Sequence, residues 1–208
     1  PVHPSYELPE DMAEGDVTRT LTVAKGRFDP HVLLLRTSEQ LRIHNAGRVA
    51  YHAKIDVISN PPNSVLYPVD GDGTYRYEKA EPLPCPVNDN IHPWMRAWLL
   101  IQDHPYMAVT DADGKFEIKN LPAGEWTFVF WHEKLGYLRE VKIDEKEVEW
   151  PRGRATFEIG PMSTDVGTVK LSPALFAERL AAAAAGLIKC GAYIVRIRAA
   201  KLELANSK

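Results

Sequence analysis

Short apolar runs separated by turn signals recur along most of the chain, at the roughly ten-residue spacing of an all-β sandwich or barrel. The predicted strands are Thr18 to Ala24, Val32 to Arg36, Gln40 to Asn45, Ala50 to Ile58, Thr74 to Tyr77, Trp98 to Gln102, Lys115 to Lys119, Trp126 to His132, Leu138 to Ile143 and Ala155 to Ile159. A hairpin is predicted over Thr110 to Ile118, where Asp113-Gly114 supplies the positive φ of a tight turn and Phe116 and Ile118 alternate with Lys115, Glu117 and Lys119. Pro61, Pro62, Pro68, Gly71 and Gly73 make Tyr51 to Pro86 read as mostly loop.

The ends differ in texture. Residues 1–17, proline-bearing and acidic, read as an extended lead-in. Residues 18–171 read as one sandwich, and residues 172–208 as a helical, partly basic extension. Ser172 is a good N-cap, Pro173 fits the first helical position, and Ala174 to Ala185 is rich in helix formers. Farther on, Tyr193 to Arg198 alternates like a strand.

Composition narrows the function classes. The chain has 208 residues, 45% of them apolar and 25% charged, the mix of an ordinary globular protein. A formal net charge of -3 gives no general attraction for phosphates, so nucleic acid is not an expected partner. The most apolar stretch, Leu180 to Val195, carries Lys189 and runs into Arg196 and Arg198, which argues against a membrane span. Cys85 and Cys190 are too few for a disulfide scaffold. No phosphate-binding glycine loop, nucleophile elbow or paired-histidine zinc helix occurs, so the chain is not expected to be an enzyme.

The segment richest in chemistry is Cys85-Pro-Val-Asn-Asp-Asn-Ile-His-Pro-Trp-Met95. It sets a thiol (Cys85), a carboxylate (Asp89), an imidazole (His92) and a thioether (Met95) in one loop bracketed by Pro84, Pro86 and Pro93. Copper sites use two imidazoles and a thiolate, with a thioether as a weak axial ligand. A second histidine must then come from another strand, and His52 is the best candidate, with Asn45 as a hydrogen-bonding support.

Residues 27–175 resemble the plastocyanin-like, cupredoxin-type family often labelled methylamine utilisation protein, with features of a carboxypeptidase-regulatory-like sandwich. The matching stretches are 27–37, Ile91-His-Pro-Trp-Met95, 103–124 and 130–138. The resemblance implies a cupredoxin-like Greek-key β-sandwich with a C-terminal α-helical extension. It also implies a copper cofactor, a redox protein partner, a periplasmic or otherwise extracytoplasmic location, and a region preceding Val2. It places the first metal histidine on His52 and the later histidine and methionine on His92 and Met95. The family's cysteine stands three residues before the loop histidine, where this chain has Asp89, and Cys85 stands seven before it. The anionic ligand is therefore Cys85 or Asp89, and an oxygen donor at Asp89 would admit zinc as well as copper.

Two functions follow as expectations. The first is a copper-type metal-binding protein, an electron carrier or copper-handling module. The alternative is a non-metal interaction or carbohydrate-binding sandwich that has lost the copper thiolate. Trp94, Trp98, Tyr106, Trp126, Trp131 and Tyr137 are candidates for an aromatic platform. His3, His31, His44, His104 and His132 read as structural or surface residues, and Asp111 with Asp113 as turn formers rather than calcium ligands.

Overall fold

The computed structural model describes residues 17–172, 174–176 and 193–198. These fall into two compact units, the first ending at Pro105 and the second beginning at Tyr106. Where a single sandwich was expected over residues 18–171, there are two hydrophobic cores, one in each unit.

The first unit is built from two sheets. One contains β1 (Thr18–Ala24), β2 (Arg27–Asp29), β4 (Gln40–Asn45) and β7 (Asp72–Tyr75) in the order β2-β1-β4-β7. The other contains β3 (Val32–Arg36), β5 (Tyr51–Ile55), β6 (Asn63–Tyr67), β8 (Cys85–Asn88) and β9 (Arg96–Gln102) in the order β3-β9-β8-β5-β6. The chain passes from one sheet to the other repeatedly, and both β1–β4 and β3–β9 are parallel. Leu21, Val23, Leu41 and Ile43 of the first sheet share one core with Leu33, Leu35, Ala53, Ile55, Val87, Leu99 and Ile101 of the second. Period-2 alternation supplies that core: β4 alternates buried and half-buried positions along its length, as does β5. The expected all-β, Greek-key-type sandwich is present here. In the stretch expected to be mostly loop, β5 and β7 overlap the strands predicted there, and β6 is an additional one, paired with β5 and anchored by the buried Tyr67 despite the neighbouring prolines.

In the second unit, β10 (Met107–Val109), β11 (Gly124–His132), β12 (Gly136–Tyr137) and β17 (Tyr193–Arg198) form one sheet in the order β10-β17-β11-β12. Strand β15 (Arg154–Ile159) also pairs with β11. A second sheet joins β13 (Glu140–Ile143) to β14 (Lys146–Glu149) and β16 (Val169–Lys170). Asp144 and Glu145 connect β13 to β14 with positive φ at both positions, the twist that suits a two-residue hairpin. The core stacks Phe130 on Trp150 with ring centroids 4.5 Å apart. The alternating stretch Tyr193 to Arg198 is indeed a strand.

The hairpin expected at Thr110 to Ile118 forms only its turn. Asp111 accepts from Gly114 through its backbone carbonyl and donates to the Lys115 carbonyl, but residues 115–119 form no strand. The ladder that β10 would have offered is taken by β17. Of the helix expected over Ala174 to Ala185, residues 174–176 are helical and residues 177–185 lie outside the described residues, as do residues 1–16 of the N-terminal lead-in and Cys190. No helix among the described residues is long and apolar enough to cross a membrane.

Candidate functional site

The loop between β8 and β9 is organised by Asp89, whose side chain is completely buried. Its Oδ1 accepts the backbone N–H groups of Ile91 at 2.7 Å and His92 at 2.9 Å. Its Oδ2 accepts the backbone N–H of His52 at 3.1 Å and faces Nδ1 of His92 at 2.9 Å. Burial opposes ionisation of this carboxyl. Hydrogen bonds from the His92 side chain and from the backbone of His92, Ile91 and His52 outweigh it and hold the pKa below the ordinary carboxylate value. Asp89 is thus an ionised clasp that joins the loop to β5. The turn is completed by the Met95 N–H, which donates to the His92 carbonyl at 2.9 Å.

Met95 points into the core of the first unit and is 2% exposed. Cys85 is also buried, its thiol directed at the Leu83 carbonyl at 3.5 Å. Burial, with lesser contributions from the carboxylates of Glu81 and Asp56, pushes the thiol up to about 12. It is therefore a protonated, unreactive group at neutral pH.

Strand alternation decides where His52 goes. Tyr51, Ala53 and Ile55 belong to the core, so His52 and Lys54 project from the other face of the sheet. There Nε2 of His52 lies 3.0 Å from the Ser64 hydroxyl, on the neighbouring β6, while Nδ1 is buried and without a hydrogen-bond partner. The ring brought to His92 is that of Tyr51, with centroids 5.0 Å apart and planes at 51°. Tyr51 was not singled out from the sequence, although the apolar-polar alternation of Tyr51 to Asp56 contained the signal.

Asn45 does not support this loop through any of its side-chain bonds. Its amide donates to the carbonyls of Val49, Tyr67 and Pro68, and its carbonyl accepts from the Gly47 N–H. It ties together the chain ahead of β5 and the chain after β6.

A copper-thiolate centre asks for two imidazoles, a thiolate and a thioether around one point. The residues present do not fit that requirement. Nδ1 of His92 is engaged by Asp89, the His52 ring lies against Ser64 on the opposite face of β5 from the core, and the Cys85 thiol is buried and directed at the Leu83 carbonyl. Among the described residues, no three His, Cys, Asp or Glu side chains are grouped so as to hold an ion. Beside the exposed Asn90, the loop presents two large apolar side chains outward: Trp94 is 72% exposed and Ile91 54%, with the indole edge-on to His92 at 5.3 Å. Of the other aromatic candidates, Tyr106 and Trp131 are buried, and none of the remainder is among the exposed large side chains.

No family model matches the chain, and no curated protein does. Among solved structures it is similar to amicyanin. The reduced state of a proline-to-phenylalanine mutant is 12% identical, with a TM-score of 0.36, covering 43% of this chain and 84% of that one. The Cu(I) form of a methionine-to-alanine mutant gives 12% identity and a TM-score of 0.36, with 43% and 84% coverage. A reduced tryptophan-to-tyrosine mutant gives 11% and 0.37, with 42% and 84% coverage.

Proposed function

We propose that the first unit is a metal-independent recognition module, a sandwich of the cupredoxin-like kind in which the Asp89 carboxylate holds the loop that a metal would otherwise hold. The observation that carries this reading is the set of hydrogen bonds at Asp89, which occupies Nδ1 of His92 and three backbone N–H groups at once. A loop so clasped needs no ion to fix its shape, and it displays Ile91 and Trp94 as an apolar contact surface. An aliphatic side chain beside an indole suits an apolar protein surface.

A second reading is favoured by the spacing of Asp89, His92 and Met95 and by the unpartnered, buried Nδ1 of His52. In it, His52, His92, Met95 and either Asp89 or Cys85 hold copper, or zinc when Asp89 is the anionic ligand, and the chain serves a redox protein partner or handles copper outside the cytoplasm. The test is a Cu(II) titration of protein carrying no chelating tag, followed by absorption and tryptophan fluorescence against a weak competitor such as glycine. The recognition module takes up no stoichiometric copper. One ion per chain, lost in Asp89→Ala and in His92→Ala, would establish the second reading instead.

A further inference from the structure

We infer that position 51, not position 52, is the place on β5 that faces the loop imidazole, and that the Tyr51 ring stands as a plug where a second imidazole would have to be for the loop to hold a metal. This rests on the metal-independent reading above. Two imidazoles that share one ion at about 2.0–2.1 Å per metal–nitrogen bond, with about 105–120° between the bonds, have ring centroids about 5–5.5 Å apart. The Tyr51 and His92 centroids are 5.0 Å apart. His52 is excluded from that position by the pleat: consecutive residues of a strand point to opposite faces, and its Nε2 lies against the Ser64 hydroxyl on β6.

The position is built for a ring. The Tyr51 hydroxyl accepts the Gly26 N–H at 3.2 Å, and a Cβ on Gly47 would overlap the ring, so the loop before β5 needs glycine to approach it. Two groups thus close this end of the sandwich. Tyr51 fills the ring position, and Asp89 occupies Nδ1 of His92 from the position three residues upstream of it. Met95 is buried in the same core as Tyr51. The loop after β8 is therefore closed to a metal for two separable reasons, and each can be undone by one substitution.

The experiment records Cu(II) absorption spectra of the full chain in four forms: unsubstituted, Asp89→Cys, Tyr51→His/Asp89→Cys, and that pair with His52→Ala. The expected result is an intense visible thiolate band in the Tyr51→His/Asp89→Cys protein, at least tenfold stronger than in Asp89→Cys and unchanged by His52→Ala. A band already strong in Asp89→Cys would overturn the inference, as would loss of the band in the His52→Ala background. So would a folded Tyr51→His/Asp89→Cys protein with no band. Copper uptake by the unsubstituted chain that depends on His92 defeats the metal-independent reading, a result distinct from these. If the paired variant does not fold, the His92 ring-proton resonance in Tyr51→Leu reads the same contact. Loss of the phenol's ring current shifts it while His52→Ala leaves it in place, and the converse overturns the assignment.

Discussion

Oδ2 of Asp89 lies 2.9 Å from Nδ1 of His92 and 3.1 Å from the backbone nitrogen of His52, so one oxygen atom fastens the loop after β8 to strand β5. Hydrogen bonds to a charged group contribute about 1.5–3 kcal/mol each and do not add independently. Asp89→Ala leaves three backbone N–H groups and a ring nitrogen without this acceptor. It is expected to lower the stability of the first unit by about 3 kcal/mol or more. Asp89→Asn keeps one acceptor oxygen and should cost less. His52→Ala retains the backbone bond and loses only a solvent-exposed one to Ser64, so its effect stays within about 1 kcal/mol. Urea denaturation of the three variants checks this ranking, and His52→Ala matching Asp89→Ala would contradict the clasp.

Cys85 yields a prediction about reactivity. A thiol pushed up to about 12 by burial and by the Glu81 and Asp56 carboxylates is almost wholly protonated at neutral pH. Against an ordinary cysteine near 8.5, its thiolate fraction at pH 8 is smaller by roughly 10³. The thiolate of a higher-pKa thiol is the better nucleophile and offsets part of this, so in a Cys190→Ser background alkylation of the native protein should be slower than in denaturant by at least about tenfold. Modification at the rate of a free thiol would show that Cys85 reaches solvent as an anion.

Much of the first unit was legible because short apolar or alternating runs are bounded by turn signals, with strict alternation in β4 and β5. Thr18 to Ala24, Val32 to Arg36 and Gln40 to Asn45 occur with the predicted bounds. Less legible were elements fixed by distant partners. Residues 115–119 alternate as a strand should, yet β10 pairs with β17, whose sequence lies far downstream. The same period that located β5 also determines which residues meet at the site. Spacing drew attention to His52, and only the pleat distinguishes it from Tyr51. That Asp89 spends its charge on backbone N–H groups was hidden from the sequence, since those bonds depend on how the loop closes.

In the second unit, Gly153 has φ +70 in the turn before β15, and a Cβ there would lie 2.7 Å from the Phe130 carbonyl oxygen and 3.0 Å from the Tyr137 side chain. Gly114 has φ +79 with nothing within 4 Å of the same position. Alanine at Gly114 meets only the backbone penalty of the left-handed region, about 1 kcal/mol. Alanine at Gly153 adds a collision with main chain and is expected to cost at least about 2–3 kcal/mol. Thermal melts of the two variants, followed through near-ultraviolet signals of the second unit, should separate them clearly. Equal melting temperatures would mean that the chain around Gly153 yields without cost.

Glu39 links stability to acidity in the first unit. Its buried carboxylate meets the Arg19 guanidinium at 2.9 Å, the Arg36 side chain at 3.1 Å and the Arg36 backbone N–H at 2.9 Å. Burial opposes its ionisation, but the bond from Arg19, the bond from the Arg36 backbone and the charges of both arginines together lower its pKa below the ordinary glutamate value. Because the folded pKa is the lower one, the contribution is fully present above the unfolded value of about 4.3. It is lost progressively as the pH falls through the folded pKa. Glu39→Gln should cost about 2 kcal/mol at pH 7. The difference between variant and wild type should shrink as the pH drops below about 4, where the wild-type carboxyl gains its proton. Urea midpoints measured from pH 7 to pH 2.5 test both parts, and a difference that stayed constant over that range would show that Glu39 acts by shape rather than by charge.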